Sequence, residues 1–210
     1  MLSETGALVG TSKTVSNLNS MDLSQAISSH SRDARLFESR TIFLSEAVSA
    51  ETSKRVVADL LLLDQLGSQP ILLYVNSPGG EVNSGFSIFD TIRYIKSPVK
   101  VINTGLCASI ATVINVAAKR ERRYAMPNAR FLIHQPLISG QVYGPASDIE
   151  ITANEILKTR GMINDLLSKE CGQPLKRVEK DTQRDYWMTA EEALDYGLIN
   201  KIISHVSEVK

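Results

Sequence analysis

Ile71-Leu72-Leu73-Tyr74-Val75-Asn76-Ser77-Pro78-Gly79-Gly80 begins as an unbroken apolar run and closes in a proline and two glycines. A continuous aliphatic run of this length reads as a strand covered on both faces, and the Pro-Gly-Gly break ends it in a turn. Downstream, Phe86, Ile88, Phe89, Ile92 and Tyr94 belong to a helix that Ser97-Pro98 stops. Val99 to Asn103 then reads as a strand, Ser109 to Ala118 as a helix and Arg130 to Ile133 as a further strand. Upstream the same unit is already present. Thr41 to Leu44 is a short buried strand, and Ser49 caps a helix whose apolar positions Val56, Val57, Leu60, Leu61, Leu63 and Leu66 recur at helical spacing up to Gly67. Strand and helix in regular succession require crossover connections, so the chain is expected to be α/β with a largely parallel sheet.

Beyond Pro145 the character changes. Asp148 to Cys171 reads as one long helix with Ile149, Ile156, Leu157, Ile163, Leu166 and Leu167 as apolar positions. Gly161 stands in its middle, where glycine costs about 1 kcal/mol against alanine. A helix this long that projects from a small domain needs something to cover its apolar positions, and a second copy of the chain is the simplest cover. The bland alternative is a helix folded back on its own domain. Gly172 closes it, Pro174 opens a short helix, and Trp187-Met188 leads into a last helix capped by Thr189.

The 210 residues, 43% of them hydrophobic, suffice for a single domain with a proper core. Residues 1 to 32 are rich in Ser, Thr and Asn and bury little, so they are expected to be a flexible segment preceding a domain over residues 33 to 205. Such a segment serves as a processed leader, a partner-binding arm or a plain disordered tail. Lys plus Arg and Asp plus Glu are 23 each, which gives no footprint for nucleic acid. Cys107 and Cys171 are far apart and lack CxxC pairing, which argues against zinc or a disulfide framework and for buried thiols in a reducing compartment. No apolar run approaches the roughly 18 residues of a membrane span. A soluble, cytoplasmic protein without a metal site is expected.

Ser109 follows the third strand, preceded by Gly105, and His134 follows the strand ending at Ile133, in a chain with three histidines in all. A serine hydroxyl becomes a competent nucleophile when an imidazole takes its proton and a carboxylate orients that imidazole. The residue types alone are common enough to arise by chance; their place at strand ends is what favours a site. In an open parallel sheet ligand sites collect at the carboxyl ends of the strands, so Ser109 and the Gly79-Gly80 turn are expected to face one crevice, the glycine amides being free to hold an oxyanion. For the acid, Asp185 is favoured, with Asp181 and Asp148 as competitors that spacing does not exclude.

From about Arg40 to Ile203 the chain resembles the Clp protease proteolytic subunit (ClpP) family. The resemblance is carried in order by the Ile71 to Gly80 loop, by Phe89-Asp90-Thr91-Ile92 with Tyr94-Ile95-Lys96, by Arg123-Tyr124-Ala125-Met126-Pro127-Asn128 leading to Ile133-His134-Gln135-Pro136, by Asp148-Ile149-Glu150-Ile151, and by Asp181-Thr182, Arg184-Asp185-Tyr186 and Ala190 to Ile199. It implies a ClpP/crotonase-like fold of repeated β-β-α and βαβ units with a protruding handle helix over about residues 147 to 171. By position it makes Ser109 the nucleophile, His134 the base and Asp185 the orienting acid, with the backbone amides of Gly80 and Ile110 as oxyanion hole. It further implies an ATP-dependent serine endopeptidase that hydrolyses unfolded polypeptides inside a barrel of two stacked heptameric rings. An inter-ring ion pair between Arg184 and Asp148 and an unfoldase-docking pocket around Tyr74 and Tyr94 go with it. The chain itself needs no cofactor, ATP being used by a partner AAA+ unfoldase.

Three departures qualify the resemblance. Gly105-Leu106-Cys107-Ala108-Ser109-Ile110 stands where the family usually has Gly-Gln-Ala-Ala-Ser-Met, so Leu106 and Ile110 are expected to narrow the site or shift substrate preference. The stretch between His134 and Asp148, including Ile138 to Pro145, is about two residues longer than in many members, at an expected ring interface. Residues 1 to 32 lack the usual axial sequence. These mark a divergent paralogue that pairs with a second, more typical subunit. Two other readings are a non-catalytic ring subunit, which predicts a missing triad member, and an acyl-CoA-binding crotonase-like enzyme, which has no need of Ser109, His134 and Asp185 together.

Overall fold

The computed structural model describes residues 29–137, 140 and 143–209. They fall into two units, one ending at Ser39 and the other starting at Arg40. The first contributes helix α1 (Ser29–Glu38). The expected flexible segment therefore lies largely outside the described residues, and residue 33, where the domain was expected to begin, falls inside this helix.

In the second unit the elements run β1 (Thr41–Leu44), α2 (Ala50–Leu66), β2 (Ile71–Ser77), α3 (Val82–Tyr94), β3 (Val99–Ala108), α4 (Ile110–Ala117), β4 (Arg123–Ala125) and β5 (Arg130–Ile133). They continue through α5 (Ala146–Cys171), α6 (Leu175–Asp181), β6 (Tyr186–Met188), α7 (Ala190–Tyr196) and β7 (Lys201–Ile202). The sheet order is β1-β2-β3-β4-β7, all parallel, while β5 pairs with β3 in parallel and with β6 antiparallel. Ser49 caps α2 by accepting from the Thr52 amide at 3.2 Å, and Thr189 caps α7 in a reciprocal box with Glu192. Among the described residues no helix is long and apolar enough to cross a membrane.

Two expectations are corrected here. β1 and β2 are not covered on both faces in the single chain. Ile71, Leu73 and Val75 are fully buried while Leu72 and Tyr74 alternate with them and are only half-buried, and Phe43 of β1 is exposed. On that second face Leu72, Tyr74 and Val209 pack against a small cluster of Ile102, Tyr124 and Ile203, so a C-terminal segment rather than a helix covers it, and only in part. An apolar run is ambiguous on this point because surface that a neighbouring chain would cover has the same composition as core.

The third strand is also longer than expected, reaching Ala108 rather than Asn103. Its first half pairs with β2 and β4. Its second half changes partner, with Leu106, Cys107 and Ala108 opposite Arg130, Phe131 and Leu132. A register shift against β2 between Val75 and Ser77 absorbs extra residues of β3. The Asn76 side chain fills that irregularity, its Oδ1 accepting from the Leu106 amide at 2.9 Å. A Cβ on Gly105 would stand 2.5 Å from this Oδ1, so a side chain there would push Asn76 off the Leu106 amide.

α5 is the long helix expected, unbroken through Gly161 and closed by Gly172 in the left-handed conformation. Its C-terminal half docks through buried Ile163, Leu167 and Cys171, whereas Ile149, Ile151, Leu157 and Met162 are exposed. Both cysteines are buried, as expected, and burial pushes the Cys171 thiol up to about 12.

Candidate active site

Extending β3 by five residues delivers Ser109 directly at the strand's end. Its amide donates to the Leu132 carbonyl at 2.8 Å, a last rung of the ladder with β5. The backbone then turns through φ 57 and ψ −127, and α4 begins at Ile110. Ser109 is thus not the first helical residue, as expected, but the hinge between strand and helix. A non-glycine residue at positive φ is uncommon, and a serine so placed is thrust out of the turn with Oγ exposed to the crevice. The turn is pinned from the helix side, where the Ser109 carbonyl accepts from the Thr112 amide at 3.0 Å and from Thr112 Oγ1 at 2.7 Å.

The Pro78-Gly79-Gly80 turn lies against this hinge. A Cβ on Gly79, whose φ is +86, would meet the Ala108 carbonyl at 2.5 Å and Ser109 Cβ at 2.6 Å. Gly80 is held by hydrogen bonds on either side of it, from the Val48 amide to the Gly79 carbonyl and from the Glu81 amide to the Val48 carbonyl, both 2.8 Å. In this parallel bridge the N–H of Gly80 is left aimed away from Val48. The Ile110 amide, first in its helix, has no acceptor within α4 and sits at the positive end of the helix dipole.

β5 carries His134 to the same place. Its antiparallel register with β6 sets Phe131 opposite Met188, Leu132 opposite Trp187 and Ile133 opposite Tyr186. The next pair in that register is His134 and Asp185. The Ser109 hydroxyl donates to His134 Nε2 across 2.8 Å, and Nδ1–H of the imidazole donates to Asp185 Oδ1 across 2.9 Å. The imidazole is largely shielded, while the Asp185 side chain is 63% exposed in the single chain. The competing acids lie elsewhere. Asp181 ends α6 and faces Arg177 at 3.5 Å, and Asp148 is in the first turn of α5.

Support for the histidine comes from residues that no sequence motif marked as functional. The Gln135 amide donates to the Thr182 carbonyl at 2.6 Å and its side chain to the Gln183 carbonyl at 2.8 Å, tying the strand end to the loop that bears Asp185. Thr182 Oγ1 donates in turn to Asn164 Oδ1 of α5 at 2.9 Å. A polar residue on the buried side of α5, between Ile163 and Leu167, is the signal that would have found Asn164.

The Clp protease family model matches residues 24–206. The chain belongs to the Clp protease family. It is 47% identical over 177 residues to the ATP-dependent Clp protease proteolytic subunit 3 of Rhizobium etli, covering 84% of this chain and 90% of that one. To the proteolytic subunit 2 of Treponema denticola it is 46% identical over 176 residues, covering 83% and 87%. A solved structure of a ClpP1 point mutant from Listeria monocytogenes superposes with a TM-score of 0.78 at 38% identity, covering 85% of this chain and 99% of that one. The ClpP fold expected from the motifs is therefore present, and the chain is a serine-type peptidase subunit of the Clp type.

The remaining Clp-type positions are distributed as follows. Tyr74 stacks on Phe43, ring centroids 5.4 Å apart, and lines a cavity of ≈ 330 Å³ with Ile102, Met126, Ile203 and Val206. Tyr94, the last residue of α3, is exposed and not among the residues lining that cavity. Arg184 lines a second cavity of ≈ 360 Å³ with His134, Gln135, Leu137, Gln183 and Asp185. Among the described residues no ion pair within the chain joins it to Asp148. The lengthened stretch after His134 lies partly outside the described residues. Leu106 is half-buried beside Asn76 rather than at Ser109, whereas Ile110 lines the small cavity next to the Ser109 hydroxyl.

Proposed function

We propose that this chain is a serine endopeptidase that hydrolyses unfolded polypeptides inside a barrel of stacked heptameric rings, fed in the cytoplasm by an AAA+ unfoldase. The observation that carries the catalytic part is the unbroken hydrogen-bonded chain from Ser109 Oγ through His134 to Asp185. His134 Nε2 takes the Ser109 proton as Oγ attacks the scissile carbonyl. Asp185 holds the tautomer with the proton on Nδ1 and stabilises the imidazolium that forms. The carbonyl oxygen, now an oxyanion, accepts from the Gly80 and Ile110 amides, a contribution worth about 10²–10³ in rate per donor. His134 then protonates the leaving amine, and a water repeats the sequence to release Ser109 from its acyl ester. No cofactor enters these steps; ATP is used by the unfoldase.

The assembly rests on surfaces the single chain leaves open. Exposed Ile149, Ile151, Leu157 and Met162 on α5 support ring-to-ring packing, with Arg184 and Asp148 as an ion pair between rings. The cavity at Tyr74 supports unfoldase docking, Tyr94 standing exposed for an adjacent subunit. Relatives whose names number them as subunits 2 and 3 support a second proteolytic subunit as ring partner. The non-catalytic and acyl-CoA readings have no observation in their favour, since all three triad members are joined.

Incubation of the purified chain with an unfolded protein such as casein, beside Ser109→Ala, tests the proposal. Wild type is expected to yield peptides and Ser109→Ala none, with the same ring-sized sedimentation for both. Assembled wild type that leaves casein intact, with and without an unfoldase, would remove the peptidase reading; a persistent monomer would remove the barrel.

A further inference from the structure

Two cavities flank the His134 imidazole, and they differ in kind. The ≈ 360 Å³ cavity is bordered by Gln135, Leu137, Gln183 and Arg184 and does not include Ser109. The other, ≈ 20 Å³, includes Ser109 and is walled by apolar side chains, chiefly Ile110, Ile133, Ile163 and Leu167. Chemistry distributes a peptide substrate between them. The leaving amine must receive its proton from His134, so the chain beyond the scissile bond departs on the imidazole side, over the larger polar cavity. The residue that stays on Ser109 as the acyl group sends its side chain into the small one.

About 10–15 Å³ holds a single water-sized sphere. The cavity beside Ser109 therefore has room for one or two heavy atoms. Its walls have no slack. Ile110 is seated against Gly85 of α3 so closely that a Cβ on that glycine would fall 2.1 Å from Ile110 Cγ1, so Ile110 has nowhere to retreat. Ile163 and Leu167 are on the buried face of α5, and Ile133 is locked in the sheet. Forcing extra methylenes into such a packed site displaces side chains from their rotamers. Among the described residues no Asp, Glu, Lys or Arg lines the cavity, the imidazole is engaged by Ser109 and Asp185, and Thr112 Oγ1 is already committed to the Ser109 carbonyl, so a charged substrate group would be buried without a partner.

We infer that the enzyme selects a small uncharged residue, alanine or serine, on the acyl side of the bond it cuts, with Ile110, Ile163 and Leu167 as the residues that set this limit. The inference rests on the proposed hydrolysis at Ser109. It is tested with two fluorogenic peptides that differ only in the residue before the coumarin leaving group, alanine or leucine, together with titration of Ser109 by a fluorophosphonate. Wild type is expected to favour alanine in kcat/KM by about 10–200-fold, the range that apolar pockets achieve by size. Ile163→Ala and the milder Ile163→Val are expected to raise leucine hydrolysis and shrink that ratio in order of the volume removed. Leucine cleaved as well as alanine by titrating wild type overturns the inference while leaving hydrolysis at Ser109 intact, as does a titrating Ser109 that cleaves neither peptide. No titration and no cleavage takes down the functional reading and this inference with it.

Discussion

Asn164, in the middle of the long helix α5, accepts a 2.9 Å hydrogen bond from Thr182 Oγ1, and Thr182 through its own carbonyl holds the amide next to His134. Both residues are buried, so the bond is shielded from water. The helix that projects from the domain is thereby wired to the strand end that carries the base, three residues from Asp185. Thr182→Val keeps the shape but leaves Asn164 Oδ1 buried without its donor, a loss of about 1–3 kcal/mol. Peptidase kinetics on this variant are expected to show kcat falling by up to about 10²-fold with KM little changed, because a small misplacement of the imidazole acts on the chemical step.

Asp185 is separable from assembly. Asp185→Asn preserves size and one acceptor but allows the wrong imidazole tautomer, and a drop of about 10⁴-fold in kcat is expected. Sedimentation of the variant should match wild type. A variant of undiminished rate would show that another carboxylate orients His134.

Glycine tolerance distinguishes site from scaffold. Gly79→Ala places a methyl 2.5 Å from the Ala108 carbonyl at a φ of +86 that alanine resists, so the hinge at Ser109 must shift. Loss of about 10²–10³ in rate is expected, comparable to losing one oxyanion donor. Gly161→Ala meets no atom within 4 Å in the middle of α5 and is expected to add up to about 1 kcal/mol to stability in urea unfolding.

The C-terminal end of α5 is anchored by a charge cluster built on the buried Arg123, and its effect depends on pH. Glu170 receives Arg93 and Arg123 at 2.7 Å each, and the fully buried Arg123 also donates to the carbonyls of Ala118, Val116 and Glu170. Burial by itself would raise the Glu170 carboxyl, but the two guanidinium groups outweigh it and hold the group below its ordinary value. Arg123 is pushed down by its own burial, yet an arginine stays charged throughout this range, so the carboxylate carries the pH dependence. A depressed folded-state value stabilises fully above the ordinary glutamate value of about 4.3 and loses that contribution as pH falls through the lower folded value. Glu170→Gln is therefore expected to destabilise by about 1.5–3 kcal/mol at pH 7 and to converge with wild type in acid, measured by urea unfolding across pH. Arg123→Met leaves Glu170 with Arg93 alone and takes a buried donor from the carbonyls of Ala118, Val116 and Glu170, each stranded acceptor costing about 1–3 kcal/mol.

Much of the fold was legible in the chain. Alternating apolar segments and caps at Ser49 and Thr189 place strands and helices near their observed bounds because these signals are local. Ser109 and His134 were legible as strand-end residues for the same reason. Asp185 was not separable from Asp181 and Asp148 by spacing, because what selects it is the antiparallel register of β5 with the three-residue β6, a tertiary pairing with no period of its own. The second half of β3 lies beyond the strand read over Val99 to Asn103, because there the strand changes partner from β4 to β5 and the Asn76 side chain of β2 fills the irregularity, both of them tertiary features. Thr182 stands in one of the quoted motifs and Asn164 between the buried Ile163 and Leu167, but their partnership is not legible because a polar contact between two elements leaves no mark of the pairing in either one alone.

Covalent capture of Ser109 by a fluorophosphonate, located by mass spectrometry, reads the chemistry at its source. Wild type is expected to carry one adduct, on Ser109, with none in Ser109→Ala and strongly slowed formation in His134→Ala. Wild-type chain that assembles into rings yet stays unmodified, both alone and mixed with a typical Clp proteolytic subunit, would contradict the catalytic assignment.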